Sequence, residues 1–214
     1  MAGKLICIIG PDGTGKTTQA NLLVEHLRNQ GVNCDYEWLR IHHFFSLPVL
    51  ACARLMGLSS VETLESGRRI GYHHFERSKT ISFLYLVFLW LDTLMFTGLK
   101  AHIPVKIFNK QIVCDRFVYD TLVDLSLSTN NEQIFSNVVG KCFMSLVPSN
   151  TTALMLIAKE EVLMSRRDDI YHDKLIKRKI ATYRKIAVQY GIPTIDSNQD
   201  IKKVQIDILK EVYG

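Results

Sequence analysis

The sequence predicts an α/β fold in three layers, with a five-stranded parallel sheet covered by helices on both faces. Three observations carry that expectation. Five short apolar runs alternate with helical patterns along 214 residues. Most runs lack a polar alternate face, as strands buried on both sides require, while in Asn33 to Leu39 the residues Cys34, Tyr36 and Trp38 alternate with Asp35 and Glu37. Polar residues stand just beyond the carboxyl ends of most of them, where such sheets collect ligands.

The first run, Lys4 to Ile9, feeds Gly10-Pro11-Asp12-Gly13-Thr14-Gly15-Lys16-Thr17-Thr18, which has the form G-x-x-x-x-G-K-[ST]. A helix from about Lys16 to Gln30 follows, with Ala20, Leu23, Val24 and Leu27 on one face. Strand, glycine loop and helix N-terminus together make an anion cradle of converging backbone amides. In such a cradle Lys16 reaches β- and γ-phosphates, and the Thr17 hydroxyl is placed for Mg²⁺. Asn33 to Leu39 reads as the second strand, with Arg40 past its tip. Ser46 to Leu58 reads as a helix with Pro48 in its first turn, and Ser59 to Ser66 as a polar connection or short helix.

A helical pattern runs from about Gly71 to Ala101 and is expected to stop at Pro104. Between Ile81 and Leu99 it is apolar nearly all round and almost long enough to span a bilayer. Asp92 interrupts it, and Ser82, Thr93, Thr97 and Gly98 dilute it. These favour a covered helix that also meets a second copy of the chain over a membrane span. Gln111 to Cys114 is the third strand and closes on Asp115-Arg116. Val118 to Ser128 and Glu132 to Val147 read as helices, and Thr151 to Ala158 as the fourth strand. A helix from Glu160 leads into Arg166-Arg167, and an amphipathic helix spans Asp173 to Tyr190. Ile192 to Ile195 is the fifth strand, and Asp200 to Val212 the last helix. No linker or repeat divides the chain, so residues 1–214 read as a single domain.

A formal charge of +5 is mild, and its excess concentrates between Arg166 and Lys185. A phosphate-rich small substrate explains that more simply than a nucleic acid. Five cysteines without a CxxC pair suggest free thiols in a reducing compartment, the cytoplasm. No leader peptide is visible before the glycine loop. Adjacent histidines at 42–43 and 73–74 do not face one way and have no ligand spacing around them.

Phosphoryl transfer needs positioning and positive charge on the moving group. Arg40 and Arg116 stand where an acceptor's own phosphate would lie, or are surface and capping arginines. Asp115 ends an apolar strand and either holds Mg²⁺ through water or pairs with Arg116. Arg166 and Arg167 belong either to a mobile lid over about residues 164–173 or to a solvated cluster.

Taken in order, the loop GPDGTGKTT, the tip CDRFVYD, the Arg166-Arg167 segment and the terminal IDSNQDIKKV resemble the thymidylate kinase family of P-loop nucleoside monophosphate kinases. The resemblance implies a P-loop kinase fold, ATP and Mg²⁺ as cofactors, and a homodimer acting in nucleotide biosynthesis. It implies that Gly10 to Thr18, including Gly13, Thr14 and Gly15, hold the donor. Asp12 would hold the acceptor sugar, and Arg116 and Arg40 the acceptor phosphate. Ser197, within Asp196 to Asn198, would lie in the loop that packs on adenine. Gly13 occupies the position where some members carry a catalytic arginine, which resembles members that draw it from the lid, here Arg166 or Arg167.

Some positions depart from the family pattern. Phe117-Val118-Tyr119-Asp120 replace the residues usual after the Asp-Arg pair, and Asp124-Leu125 stand where Tyr-Gln is usual. Asp92-Thr93 lack the arginine that addresses thymine. The first acceptor to expect is dTMP. The alternatives are another nucleotide or small metabolite on the same donor machinery, and an ATP-dependent switch. Phe75, Tyr85 and Tyr119 are candidates to stack on a base, or are core.

Overall fold

The computed structural model describes residues 3–64, 67 and 69–213. Five parallel strands form one sheet in the order β2-β5-β1-β6-β7. They are β1 (Lys4–Ile9), β2 (Cys34–Trp38), β5 (Gln111–Asp115), β6 (Thr151–Ile157) and β7 (Thr194–Asp196). β1 is central, with Cys7 level with Cys114 of β5 and with Ala153 of β6. Its alternate residues feed two different cores. Ile6 and Ile8 pack with Leu23 and Leu27 of α1 (Lys16–Asn29) and with Val204 and Ile208 of α10 (Ile201–Tyr213). Leu5, Cys7 and Ile9 face the larger core on the other side. That core is built from α2 (Leu47–Leu55), α3 (Lys79–Thr97), α5 (Val118–Ser128), α6 (Val138–Met144) and α9 (Ile176–Tyr190). A strand apolar on both faces is what a sheet sandwiched between helix layers demands.

A smaller third cluster lies over the glycine loop. Leu163 of α7 (Glu160–Arg166), Ile170 of α8 (Asp168–His172) and Ile176 and Ile180 of α9 pack together with Ala158. The segment carrying Arg166 and Arg167 therefore has its own small apolar anchor.

Several boundaries differ from the sequence reading. Ser59–Thr63 is a strand, β3, paired antiparallel with β4 (Arg69–His73). The connection or short helix expected over Ser59 to Ser66 is thus replaced by half of a hairpin, and positions 65 and 66 lie outside the described residues. Val61 and Thr63 are β-branched, and the strand gains its amide partners only when β4 comes alongside. The long helix starts at Lys79, not near Gly71, because Ser78 caps it and β4 claims Gly71 to His73. Nor does Pro104 end it. A π-helical turn over Gly98–His102 leads into α4 (Ile103–Lys106), where proline sits in the first turn and its missing N–H costs nothing. The helix expected over Glu132 to Val147 shortens to α6, whose amide at Gly140 donates to Asn137 Oδ1 at 3.1 Å.

Residues Lys79–Lys106 form a helical stretch long and apolar enough to cross a membrane, with mean hydropathy 1.6 in its most apolar window, of which 28% is buried. Phe83, Val87, Leu94 and Leu99 are among its exposed apolar side chains. Asp92, on the same helix, is buried on the opposite side, towards the β2–α2 loop.

Candidate active site

Between β1 and α1 the chain turns tightly. Gly10 has φ +139°, and a Cβ there would lie 2.3 Å from the Leu156 carbonyl oxygen on β6. Gly13 has φ +83°, and its Cβ would meet Ile170 of the lid at 2.7 Å. Only glycine permits both the left-handed backbone and that approach. No side chain caps the N-terminus of α1, so its first amides are left for an outside acceptor. Lys16 Nζ donates to the Pro11 carbonyl at 2.8 Å, folded back over the loop.

The loop opens into a cleft of about 910 Å³, lined among others by Asp12, Gly13, Gly15, Lys16, Thr17 and Thr18. Arg40, Asp115, Arg116, Arg166 and Arg167 line the same cleft. Four segments, those after β1, β2 and β5 and the end of α7, thus deliver the residues singled out in the sequence to one space. Gly10, Thr14 and Ser197 do not line it. Gly10 is held against β6, and Thr14 Oγ1 donates to the Pro11 carbonyl at 2.9 Å. The Ser197 hydroxyl donates to the Ile157 carbonyl at 2.9 Å.

Arg116 follows β5 with φ +69°, a left-handed conformation that costs a non-glycine residue about 1–3 kcal/mol. The turn swings its guanidinium to Asp12, with which it forms an ion pair, and within 3.8 Å of Asp120 Oδ1. Asp120 in turn accepts the Phe117 amide at 2.9 Å and the Tyr183 hydroxyl at 2.7 Å. Burial pushes the Asp120 carboxyl up, against the pull of Arg116 and Lys16. For Asp12, burial is outweighed by Arg116 and Lys16 together, and its carboxyl is held far below the usual carboxylate range. Burial, reinforced by Arg116, pushes the Lys16 ammonium down to about 8. An ammonium so destabilised gains most from an incoming polyanion.

Thr17 Oγ1 donates to Asp115 Oδ2, which also accepts the Tyr36 hydroxyl at 3.4 Å. Asp115 Oδ1 is buried and has no hydrogen-bond partner among the described residues. A hydroxyl beside a carboxylate with one unsatisfied oxygen suits a hard divalent cation such as Mg²⁺, bound directly or through water. Among the described residues no three His, Cys, Asp or Glu side chains cluster as a metal site of their own. The histidine pairs diverge. His43 and His73 line the cleft, while His42 stacks on Phe96 at 4.5 Å and His74 meets Glu76 at 3.3 Å.

The lid arginines are already engaged. Arg166 donates to the Gly13 carbonyl at 3.1 Å and to the Ser197 carbonyl at 2.8 Å, bridging the glycine loop and the loop after β7. Arg167 pairs with Asp169 and approaches Asp12 at 3.9 Å.

Sequence reasoning missed the far wall. Arg69 and Tyr72 reach the cleft from the hairpin, and Lys179 from α9. Lys179 Nζ donates to Asp173 Oδ2 at 2.6 Å, and despite burial Asp173 and Asp124 hold its ammonium above the ordinary value. A signal for Lys179 was present, since it sits beside Ile176, Ile180 and Tyr183 on the buried face of its helix. None marked the hairpin. Of the three aromatic candidates only Tyr85 lines the cleft, while Phe75 and Tyr119 belong to the core.

No family model matches this sequence, and no curated protein does. Among solved structures, the thymidylate kinase from Ehrlichia chaffeensis is similar over 99% of this chain and 100% of its own, with TM-score 0.56 and 16% identity. At that identity the likeness concerns the fold, and the chain has a P-loop kinase-like α/β fold.

Proposed function

We propose that this protein is an ATP-dependent nucleoside monophosphate kinase, with dTMP the first acceptor to test. The observation that carries the reading is that Lys16, Asp12 and Arg116 line one cleft, with Arg116 paired to Asp12. A donor triphosphate and an acceptor phosphate can then lie end to end. The glycine-loop amides and the N-terminus of α1 would hold the donor phosphates, and Lys16 would exchange the Pro11 carbonyl for a phosphate oxygen. Thr17 and Asp115 would hold Mg²⁺, which supplies charge neutralisation across the donor phosphates. Arg116 and Arg40 would orient the acceptor phosphate, and Asp12 its sugar. Arg166 and Arg167 would leave their carbonyl and carboxylate partners to neutralise charge on the moving phosphoryl group.

A different acceptor on the same donor machinery is the second reading. What favours it is that Asp92 spends both oxygens on the amides of residues 44 to 46, and Thr93 bonds the Leu89 carbonyl at 2.7 Å. That stretch of α3 therefore offers no arginine to a thymine ring.

Further parts of the proposal concern setting. The exposed apolar side of α3 would be covered by a second copy of the chain, giving a homodimer. The buried free thiols of Cys7, Cys34 and Cys114 suit the reducing cytoplasm. The uninterrupted sheet supports one domain over 1–214.

The test is ADP release coupled to an indicator reaction, run over dTMP, dUMP and other monophosphates. Acceptor-dependent turnover is expected, and Lys16→Ala is expected to abolish it. Background hydrolysis with every monophosphate would refute the acceptor assignment, and full activity in Lys16→Ala would remove the loop from the mechanism.

A further inference from the structure

The β2–α2 loop is fastened to α3 by one carboxylate. Asp92 is 1% exposed and accepts four hydrogen bonds. Three come from the backbone amides of Phe44, Phe45 and Ser46, at 3.2, 2.7 and 3.0 Å, and the fourth from the Ser46 hydroxyl at 2.6 Å. The three amides can only donate, and the hydroxyl donates to the same carboxylate, so every partner of Asp92 is a donor. The single hydroxyl proton of Ser46 is therefore spent on Asp92. His43 Nδ1 lies 2.8 Å from the same Ser46 oxygen. That contact is a hydrogen bond only if the ring donates, so Nδ1 carries the hydrogen. The tautomer follows from this donor count. In neutral His43 the other nitrogen, Nε2, is then a bare lone pair. It has no partner among the described residues, and His43 lines the cleft beside Arg40 and Tyr85. The Tyr85 ring stands 6.2 Å from the imidazole, centroid to centroid, and gives the same region a flat wall.

We propose that His43 is a specificity-determining hydrogen-bond acceptor, fixed in its Nδ1–H tautomer by a buried Asp92–Ser46 relay, that selects acceptor molecules presenting an N–H, as the imide of a uracil or thymine ring does. The proposal rests on the monophosphate-kinase reading and names the substrate class of that site. A cytosine ring presents a lone pair at the corresponding ring nitrogen, so two acceptors would face each other there. Asp92 and Ser46 touch no substrate and act as positioning residues. Protonation puts a hydrogen on Nε2 and removes the acceptor, so the preference fades as pH falls through the His43 pKa. Burial holds that pKa below the ordinary value, with His73 and Arg40 acting in the same sense and Asp92 and Asp124 against it.

The experiment compares kcat/KM for dUMP, dTMP and dCMP in the whole protein and in His43→Phe, which keeps a ring and loses the acceptor. A single hydrogen bond corresponds to a change of about tenfold. The variant is expected to lose that factor on dUMP and dTMP and, with the opposing lone pair gone, to gain on dCMP, so the dUMP-to-dCMP ratio falls at least about tenfold. An unchanged ratio, with dUMP still a substrate, overturns the assignment to His43 and leaves the kinase reading standing. No turnover with any monophosphate overturns both. Independently of activity, long-range ¹H–¹⁵N spectra of the free protein should show a protonated Nδ1 and an unprotonated Nε2 on His43. In Ser46→Ala that tautomer should no longer dominate. A protonated Nε2 in the unaltered neutral protein, or no change in Ser46→Ala, would overturn the relay.

Discussion

Replacing Asp92 by alanine strands the groups it satisfies. The Ser46 amide is buried and has no other partner among the described residues, and leaving such a donor unpaired costs about 1–3 kcal/mol. Phe44 and Phe45 are exposed, so their amides recover water and add less. Removing a negative charge from the start of α2 adds about 0.3–1 kcal/mol. The sum is a destabilisation of about 2–4 kcal/mol, and Tm should fall by about 5–15 °C for a chain of this size. Asp92→Asn keeps one oxygen as acceptor and should lose about half as much. Urea unfolding followed by far-ultraviolet dichroism reads the free energy, and native-state hydrogen exchange should show the amides of 44 to 46 opening first. A loss below about 1 kcal/mol in Asp92→Ala, with those amides still protected, would refute the claim that this carboxylate holds the loop.

Gly13→Ala places a side chain on a left-handed backbone against Ile170 and should cost about 1–2 kcal/mol in urea unfolding; equal stability would contradict the loop geometry. Burial and Arg116 push the Lys16 ammonium down to about 8, so a bound triphosphate that raises its pKa should draw in protons near pH 8. Calorimetry of ATP binding in two buffers of different ionisation enthalpy should show net uptake that vanishes by pH 6, where the ammonium is already charged; uptake of equal size at both pH values would point to another group. Light scattering should give the mass of a dimer that Phe83→Glu converts to monomer, and a monomeric mass for the unaltered chain would refute α3 as the interface.

The parts of the site legible in the sequence are those made locally. The glycine loop needs only its own residues to declare a left-handed turn before a helix. Asp115 and Arg116 advertise themselves by ending an apolar run. Long-range partners were illegible. Asp92 looked like a flaw in an apolar helix, because the amides that neutralise its burial lie 46 to 48 residues earlier in the chain. Ser59 to Thr63 was ambiguous for a related reason. Alone it alternates weakly, and its amides find acceptors only across the gap to Arg69–His73. Ser197 shows what a local reading leaves out, because its hydroxyl is engaged by the Ile157 carbonyl 40 residues earlier.

The placing of β1 has a consequence for how the chain is made. Its neighbours are β5, where Lys4 lies beside Gln111, and β6, where Leu5 lies beside Thr151. Both edges of β1 can therefore close only after β6 has been made, and both edges of β6 only after β7. Until the segment through Ile157 has emerged, Gly10 has no Leu156 to lean on. Any ligand of the glycine loop can then stabilise the fold only late in synthesis, and a nascent chain halted before β6 would expose an open apolar edge for chaperones to guard.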